Sequence, residues 1–327
     1  MSKRYESLKH WLSEILETSD FELNPASEDA SFRSYYRLFL QDKTFIVMDA
    51  PPPQEDCNPF VMVTNTLLAC ETNVPKIHHM DLNPGFLLLD DFGDDLYLDK
   101  LNSSSANKLY SDAISALVRI QTSAEVKELD SYNEPLLRRE MSLFTEWLLG
   151  KHLKVELSNA QTSSMALLFD TLVDNAQQQP QTFVHRDFHS RNLMITKVNN
   201  PGIIDYQDAV NGPISYDLVS LLKDCYVKWS KNEINGWLEF YLNQLTQRGV
   251  EVDHEQFQRW FDLMGVQRHL KACGIFARLS HRDGKHEYLK DVPRTLSYIV
   301  DLQGDYQELA PLCLIIEELI LPKLEET

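Results

Sequence analysis

Positive charge is scarce in this chain. Its 327 residues carry 31 Lys and Arg against 49 Asp and Glu, a formal charge of −18, which argues against a surface that tracks nucleic-acid phosphates or anionic lipid and favours a small-molecule partner. Long apolar runs are missing too: none approaches the roughly 18 residues needed to cross a bilayer. The opening residues, Met1 to Glu6, lack the apolar core of a signal peptide. These absences lead to the expectation of a cytoplasmic protein with no membrane and no nucleic-acid partner. Cysteine is limited to Cys57, Cys70, Cys225, Cys273 and Cys313, odd in number and without metal-ligand spacing, so a disulfide framework or zinc site is not expected and buried free thiols are. Neither internal repeats nor low-complexity linkers are present, and a monomer is expected.

What the chain does have is concentrated between Val184 and Asp208, VHRDFHSRNLMITKVNNPGIIDYQD. A His-x-Asp-x-x-x-x-Asn loop is followed by a short apolar run ending in a second aspartate. Moving a γ-phosphoryl group requires positioning and charge neutralisation more than covalent help, and this spacing supplies both. Asp187 would accept a hydrogen bond from the attacking hydroxyl and orient it, while Asn192 would offer a side-chain oxygen to magnesium. Asp205, presented by a short strand after Ile203 and Ile204, would complete the metal site where protein kinases carry the Asp of Asp-Phe-Gly. Singly, each residue is an ordinary loop or capping residue. In combination, with strand-like segments at Gln181–Val184 and Asn192–Thr196, they point to phosphoryl transfer.

The surrounding pattern fits two lobes. Tyr5, Leu8, Trp11, Leu12, Ile15 and Leu16 recur at helical spacing. Strand-like runs then follow at 34–40 and 44–48, a helical stretch after the triple proline at 60–70, and further strands at 76–82 and 85–90. Beyond Asp91 helical patterns dominate, at 104–121, 135–153, 162–175, 213–229, 235–247 and 256–279. The expected fold class is α+β, a two-lobed protein-kinase-like fold with a small antiparallel β-sheet lobe and a larger, mainly helical lobe. The expected domains are 1–92, an N-terminal helix and nucleotide-binding small lobe, and 93–327, a helical large lobe with the catalytic loop and acceptor site.

The runs VHRDFHSRN, IIDYQD, LLLDDFGD and PISYDL resemble the aminoglycoside phosphotransferase and choline kinase group of small-molecule kinases. Within it, IVMDAPPPQEDCNPF, IDYQDAVNGPISYDLVSLLKDCY and QRHLKACGIFARLSHRDGKHEYL are similar to bacterial anomeric sugar kinases, which act on N-acetylmuramate and N-acetylglucosamine during cell-wall recycling. The resemblance covers most of the chain. It implies ATP as donor, Mg2+ as metal, an α-1-phosphate product, and for Asp217 a bracing role beneath the catalytic loop.

Toward the nucleotide, the segment Glu28 to Ser34 occupies the place of the phosphate loop but contains no glycine, so close backbone approach to phosphates is not assured. Ser31 offers a hydroxyl and Arg33 a positive charge; a polar turn is the alternative, and for Ser34 the preferred one. The third strand ends in Met48 and Asp49 where kinases usually place a phosphate-binding lysine, leaving Arg33 or Lys43 as replacements. Adenine should lie under Leu87 to Gly93, making Asp90 and Phe92 candidate cofactor-binding residues. On the acceptor side, Asp208 either bonds a sugar hydroxyl or caps the helix expected near Pro213. Arg268, Lys271, Arg278 and Arg282 fall on one helical arc, and residues 265–294 hold seven basic residues against three acids. That arc either receives an anion such as a lactyl carboxylate, through Arg268 and Arg282, or pairs with acidic neighbours. His189 and Arg191 either touch substrate or brace the loop. Two other functions stay open: phosphotransfer to an aminoglycoside or other small alcohol, and a non-catalytic nucleotide-binding pseudokinase. No Ala-Pro-Glu follows Asp205, so the activation segment of a protein kinase is not expected.

Overall fold

The computed structural model describes residues 3–28 and 32–325. It divides into two compact units, Met1–Leu96 with Asn192–Asp208, and Tyr97–Arg191 with Ala209–Thr327.

In the first unit, α1 (Lys3–Ile15) precedes an antiparallel sheet of β1 (Glu22–Glu28), β2 (Ser34–Leu40), β3 (Lys43–Asp49), β4 (Ile77–Asp81) and β5 (Phe86–Asp90), with α2 (Asn58–Ala69) between β3 and β4. The strand order is β1-β2-β3-β5-β4. Leu40 pairs with Lys43 across a two-residue turn, where Gln41 adopts the positive φ that such a tight hairpin demands (53°). Period-two alternation divides the sheet into two faces. One carries Leu38, Val47, Phe86 and Leu88 onto Leu8 and Leu12 of α1, the amphipathic helix expected from the spacing. Asp49 points the same way and receives Arg4 Nε at 2.7 Å, which pins α1 to the end of β3. The opposite face presents Ile46, Met48, Leu87 and Leu89.

The segment 192–208 also belongs to this unit. A short hairpin pairs Leu193 with Ile203 and Met194 with Gly202, and Ile203 N donates to Asn73 O at 2.8 Å. A Cβ at Gly202 would stand 2.6 Å from the Phe92 ring, so the glycine is what allows this hairpin to close on Phe92. Tyr206 stacks on Phe60 of α2 at 5.1 Å between ring centres, its hydroxyl 2.8 Å from that of Thr64.

The second unit is helical: α3 (Tyr97–Lys100), α4 (Ala106–Ser123), α5 (Glu134–Leu143), α6 (Asn159–Gln177), α7 (Tyr216–Leu222), α8 (Lys231–Gln247), α9 (His254–Asp283), α10 (Val292–Val300), α11 (Ala310–Ile315) and α12 (Leu321–Glu325). Helix starts follow local chemistry. Ser158 and Ser230 form capping boxes with Gln161 and Glu233, and Asp253 caps α9, which stops at Gly284 in the left-handed region (φ 70°). Strands Gln181–Val184 and Val210–Pro213 pair antiparallel and carry the chain into and away from the loop after Val184. One expected helix is shorter than its pattern: the run 213–229 is helical only to Leu222, because Asp224 turns the chain by accepting the Tyr226 amide at 3.0 Å. All five cysteines are buried thiols, and no described helix is long and apolar enough to cross a membrane.

Helix α9 runs through the centre of this unit, burying Phe257, Phe261, Val266, Leu270 and Ala277. At Gly274 a Cβ would fall 2.3 Å from the backbone carbon of Leu143. Glycine inside an exposed helix costs about 1 kcal/mol against alanine; here the sign reverses. Gly274→Ala is expected to lower stability by about 1–3 kcal/mol through overpacking, read as a lower urea midpoint at unchanged slope. An unchanged or raised midpoint would refute the close contact.

Candidate functional site

The first unit contains a cavity of about 390 Å³ on the sheet face opposite α1, lined by Tyr35 and Arg37 of β2, Ile46 of β3, Phe60 of α2, the chain from Leu89 to Asp94, and Asn192, Met194, Ile204, Asp205 and Tyr206. Its walls are largely aromatic and aliphatic, the shape and chemistry suited to a planar base with a polar tail. Four of the residues singled out from sequence, Asp90, Phe92, Asn192 and Asp205, line it together. Asp90 closes β5, where its carboxylate accepts the Lys76 amide at 3.1 Å and meets His78 Nε2 at 2.7 Å.

Beyond it the chain turns sharply, and Arg37 holds the turn. Its guanidinium pairs with Asp91 at 2.7 Å and Asp94 at 2.8 Å and donates to Gly93 O at 3.1 Å. Burial disfavours the charge on Arg37, but the hydrogen bonds it donates to Asp94 and Asp91 outweigh it and raise the pKa. Gly93 sits at φ +83° with open space around its missing Cβ, so the backbone conformation alone selects glycine there. Sequence reasoning missed Arg37; its place two residues after Tyr35 on one strand face was the available signal.

At the polar end of the cavity, the hairpin brings together two residues thirteen positions apart. Asn192 O accepts the Ile204 amide at 3.1 Å, and the Asn192 side-chain amide lies 3.3 Å from Asp205 Oδ2. Gln207 Nε2 donates to Asp205 Oδ1 at 2.9 Å. Asp205 itself adopts φ 64° and is exposed. A carboxylate beside an amide whose oxygen and nitrogen are interchangeable by rotation is a hard-oxygen donor set that fits Mg2+. Asp208 lies exposed at the end of the same segment. It does not cap the following helix, because α7 starts at Tyr216 with Ser215 in the cap position. Arg33 pairs with Glu55 at 3.0 Å. Ser31 lies outside the described residues.

The second unit carries the loop from His185 to Arg191, and buried acids hold it at both ends. Asp217, fully buried in the first turn of α7, accepts the amides of His185 at 2.6 Å and Arg186 at 3.0 Å. This is the bracing geometry the resemblance implied. Seven residues on, Asp224 accepts the Ser190 amide at 3.0 Å and its hydroxyl. Arg186 is forced to φ 77°, a conformation that costs a non-glycine residue about 1–3 kcal/mol and persists only where neighbours overdetermine it. Those neighbours include Glu140, which pairs with Arg186, accepts from Tyr132, and lies 3.3 Å from Lys271 Nζ.

Asp187 stands in this field of cations. Burial alone would raise its pKa, yet Lys271, His189, Arg268 and Arg186 together bring it down from 3.8 to about 2. Burial lowers His189 to about 4, leaving it neutral near pH 7, so the three permanent cations do the holding there. Burial lifts Asp217, by contrast, to about 6. Two aspartates of one site are thus pushed in opposite directions.

The basic arc of α9 splits in the structure. Lys271 is buried beside Glu140 and donates to Tyr216 at 2.9 Å. Arg268 is 5% exposed, donates to Cys225 Sγ at 3.6 Å, and leaves Nε without a hydrogen-bond partner. Arg282 sits at the exposed end of the helix, bound to Asp283 at 2.7 and 2.8 Å. Glu140 and Asp224, which sequence reasoning did not single out, are buried acids; their burial was the property that sequence spacing did not expose.

Residues 22–258 match the model of the phosphotransferase enzyme family. A protein of Pseudomonas putida named N-acetylmuramate/N-acetylglucosamine kinase is 45% identical over 97% of this chain and 96% of its own length, and one of the same name from Neisseria meningitidis is 40% identical over 97% and 96%. Among solved structures, choline kinase LicA from Streptococcus pneumoniae superposes with a TM-score of 0.64 over 91% of this chain and all of its own, at 15% identity. An ADP-bound aminoglycoside phosphotransferase gives 0.58 over 89% and 97%, also at 15% identity. These structural likenesses establish a shared fold: a five-stranded antiparallel sheet with a mainly helical part.

Removing Glu140 leaves Arg186 and Lys271 buried without their shared acid. Glu140→Ala should destabilise the protein by about 3–5 kcal/mol, whereas Arg282→Ala, at an exposed pair, should stay within about 0.5 kcal/mol of wild type. Equal urea midpoints for the two variants would remove Glu140 from its supporting role.

Proposed function

This chain belongs to the phosphotransferase enzyme family, and on that footing we propose that it is an ATP-dependent kinase that phosphorylates the anomeric hydroxyl of N-acetylmuramate or N-acetylglucosamine. The observation that carries the substrate class is the 45% identity, spread over nearly the whole of both chains, to a relative named for those two sugars. The setting is the cytoplasm, the role cell-wall recycling, and the acting form a monomer. Residues 1–92 bind the nucleotide and residues 93–327 supply the catalytic loop and acceptor site; the segment 192–208, packed in the first unit, carries the metal ligands.

Chemistry follows from the side chains. Adenine takes the apolar slot beside Asp90 and Phe92, and the phosphates run toward Arg33. Asn192 and Asp205 would hold Mg2+, which when bound would neutralise phosphate charge. Asp187 accepts a hydrogen bond from the sugar's anomeric hydroxyl and directs its lone pair at the γ-phosphorus; the bond to the β-phosphate oxygen breaks, giving ADP and the sugar 1-phosphate. A carboxylate with a pKa of about 2 is a weak base at pH 7, so orientation is its main contribution, with the proton passing late. Asp217 and Asp224 position the loop and touch neither substrate. Asp208 is assigned to a sugar hydroxyl.

Arg268 is assigned to the substrate's anionic end. A buried guanidinium with a thiol as its hydrogen-bond acceptor has capacity to receive a carboxylate. Arg282 is already engaged by Asp283. The same cations oppose a cationic aminoglycoside acceptor, and the filled Asp187, Asn192 and Asp205 positions oppose a pseudokinase.

The test is magnesium-dependent ADP release over N-acetylmuramate, N-acetylglucosamine, glucose, kanamycin and choline, with phosphorus NMR of the product. Turnover on the amino sugars with an anomeric phosphate is expected, and Arg268→Ala should raise KM for N-acetylmuramate more than for N-acetylglucosamine. Turnover on kanamycin or choline alone would overturn the reading; equal KM effects would remove the carboxylate from it.

A further inference from the structure

The first unit lacks a lysine where a nucleotide's phosphates need a cation, and strand register shows why neither neighbouring candidate on β3 fills that place. Tyr35 pairs with Met48 and Arg37 with Ile46, so these four share the cavity face. Met48, opposite Tyr35, occupies the inward position and is apolar and buried. Asp49 faces α1 and is bound to Arg4. Lys43 shares the parity of Val47 and Asp49, hence the α1 face, and stands six residues from Asp49, about 20 Å along the strand. Helix α2, NPFVMVTNTLLA, contains no acid that would pair with a lysine on β3.

A cation is present one strand away. Arg37 marks the end of the cavity where the chain turns through Asp91 and Asp94, and Tyr35 lies further along the same face. Two residues before Tyr35, just ahead of β2, stands Arg33, which shares the parity of Tyr35 and Arg37 and would lie about 13 Å from Arg37 if the strand geometry continued. Its side chain is close enough to Tyr35 to hydrogen-bond with it. Arg33 and its acid are each only 12% exposed, with Nε 3.0 Å from Glu55 Oε2. Glu55 Oε1 accepts the Phe32 amide at 3.0 Å, so a single carboxylate fixes both the backbone and the side chain of the turn entering β2. Glu55 lies three residues ahead of α2.

We propose that the Arg33–Glu55 pair binds and positions the phosphates of the nucleotide, taking over the work of a strand lysine and its helix acid from the start of β2 and the approach to α2. This rests on the kinase reading above. It assigns Arg33 rather than Lys43 as the phosphate cation and makes Glu55 a positioning residue that acts through Arg33. An arginine suits the relocated place: its planar guanidinium matches phosphate geometry bidentately, where a lysine offers a point charge.

The experiment is isothermal titration calorimetry of the full chain with ATP, ADP and adenosine. Arg33→Ala should weaken ATP and ADP by about tenfold or more and leave adenosine within about twofold. Arg33→Lys should recover part of the loss as a point charge, and Glu55→Gln should weaken ATP in the same direction with adenosine unchanged. If Arg33→Ala fails to fold, the ratio of ATP to adenosine affinity is read on Arg33→Lys and Glu55→Gln. A ratio within twofold of wild type in the folded variants would overturn the assignment while leaving the kinase reading intact. Wild-type protein that binds no ATP would overturn the kinase reading itself, and the assignment with it.

Discussion

A carboxylate that must stay charged while partly removed from water is the constraint on which the helical unit depends. Desolvation drives Asp187 toward its neutral form, and only a local excess of fixed positive charge reverses that drive. The excess has its own cost, since Arg186, Arg268 and Lys271 are themselves disfavoured by burial. Glu140 relieves two of the three. Arg268 remains without a carboxylate partner in the ion pairs of the described residues, and this imbalance, in a chain of net charge −18, is what makes an anionic ligand chemically reasonable there. Loop geometry depends on the same economy of charge: Asp217 and Asp224 spend their acceptors on backbone amides, so a strained Arg186 and the Asp187 beside it keep one conformation.

In the sheet unit the organising fact is alternation. Odd and even positions of β2 and β3 separate a face that packs on α1 from a face that lines the cavity, and the sorting is strict enough to tell which cations can reach a ligand. Arg37 holds one end of that cavity wall through Asp91 and Asp94, while Arg33, four residues earlier and just ahead of β2, pairs with Glu55. The hairpin at 193–203 then delivers Asn192 and Asp205 to the same cavity, and Gly202 is the residue without which Phe92 would block it.

Much of this was legible beforehand because it is local. The amphipathic spacing of α1, the break at 41–43 between two strand runs, and the Asp187, Asn192 and Asp205 spacing are all short-range patterns with a direct physical reading, although the turn is tighter than that break, since Lys43 already pairs with Leu40. The helix expected over 213–229 stops at Leu222, where Asp224 turns the chain at Tyr226 and also holds Ser190, a contact 34 residues back that no periodicity encodes. The arc of four basic residues on α9 was correctly placed on one helix, but helical spacing is blind to depth: Arg268 and Lys271 are buried and Arg282 is not. Glu140 and Glu55 carry no signal in the spacing for the same reason. Their significance lies in long-range partners that become adjacent only on folding.

The most direct measurement is the turnover of Asp187→Asn with ATP and an N-acetylated amino sugar, together with its affinity for ATP. Asparagine preserves size but removes the charge proposed to orient the acceptor hydroxyl and accept its proton. A fall in kcat of about a hundredfold or more is expected with ATP affinity nearly unchanged, because the residues proposed to bind the nucleotide lie in the sheet unit. Turnover close to wild type would contradict the assignment of Asp187, and with it the reason for the surrounding charge.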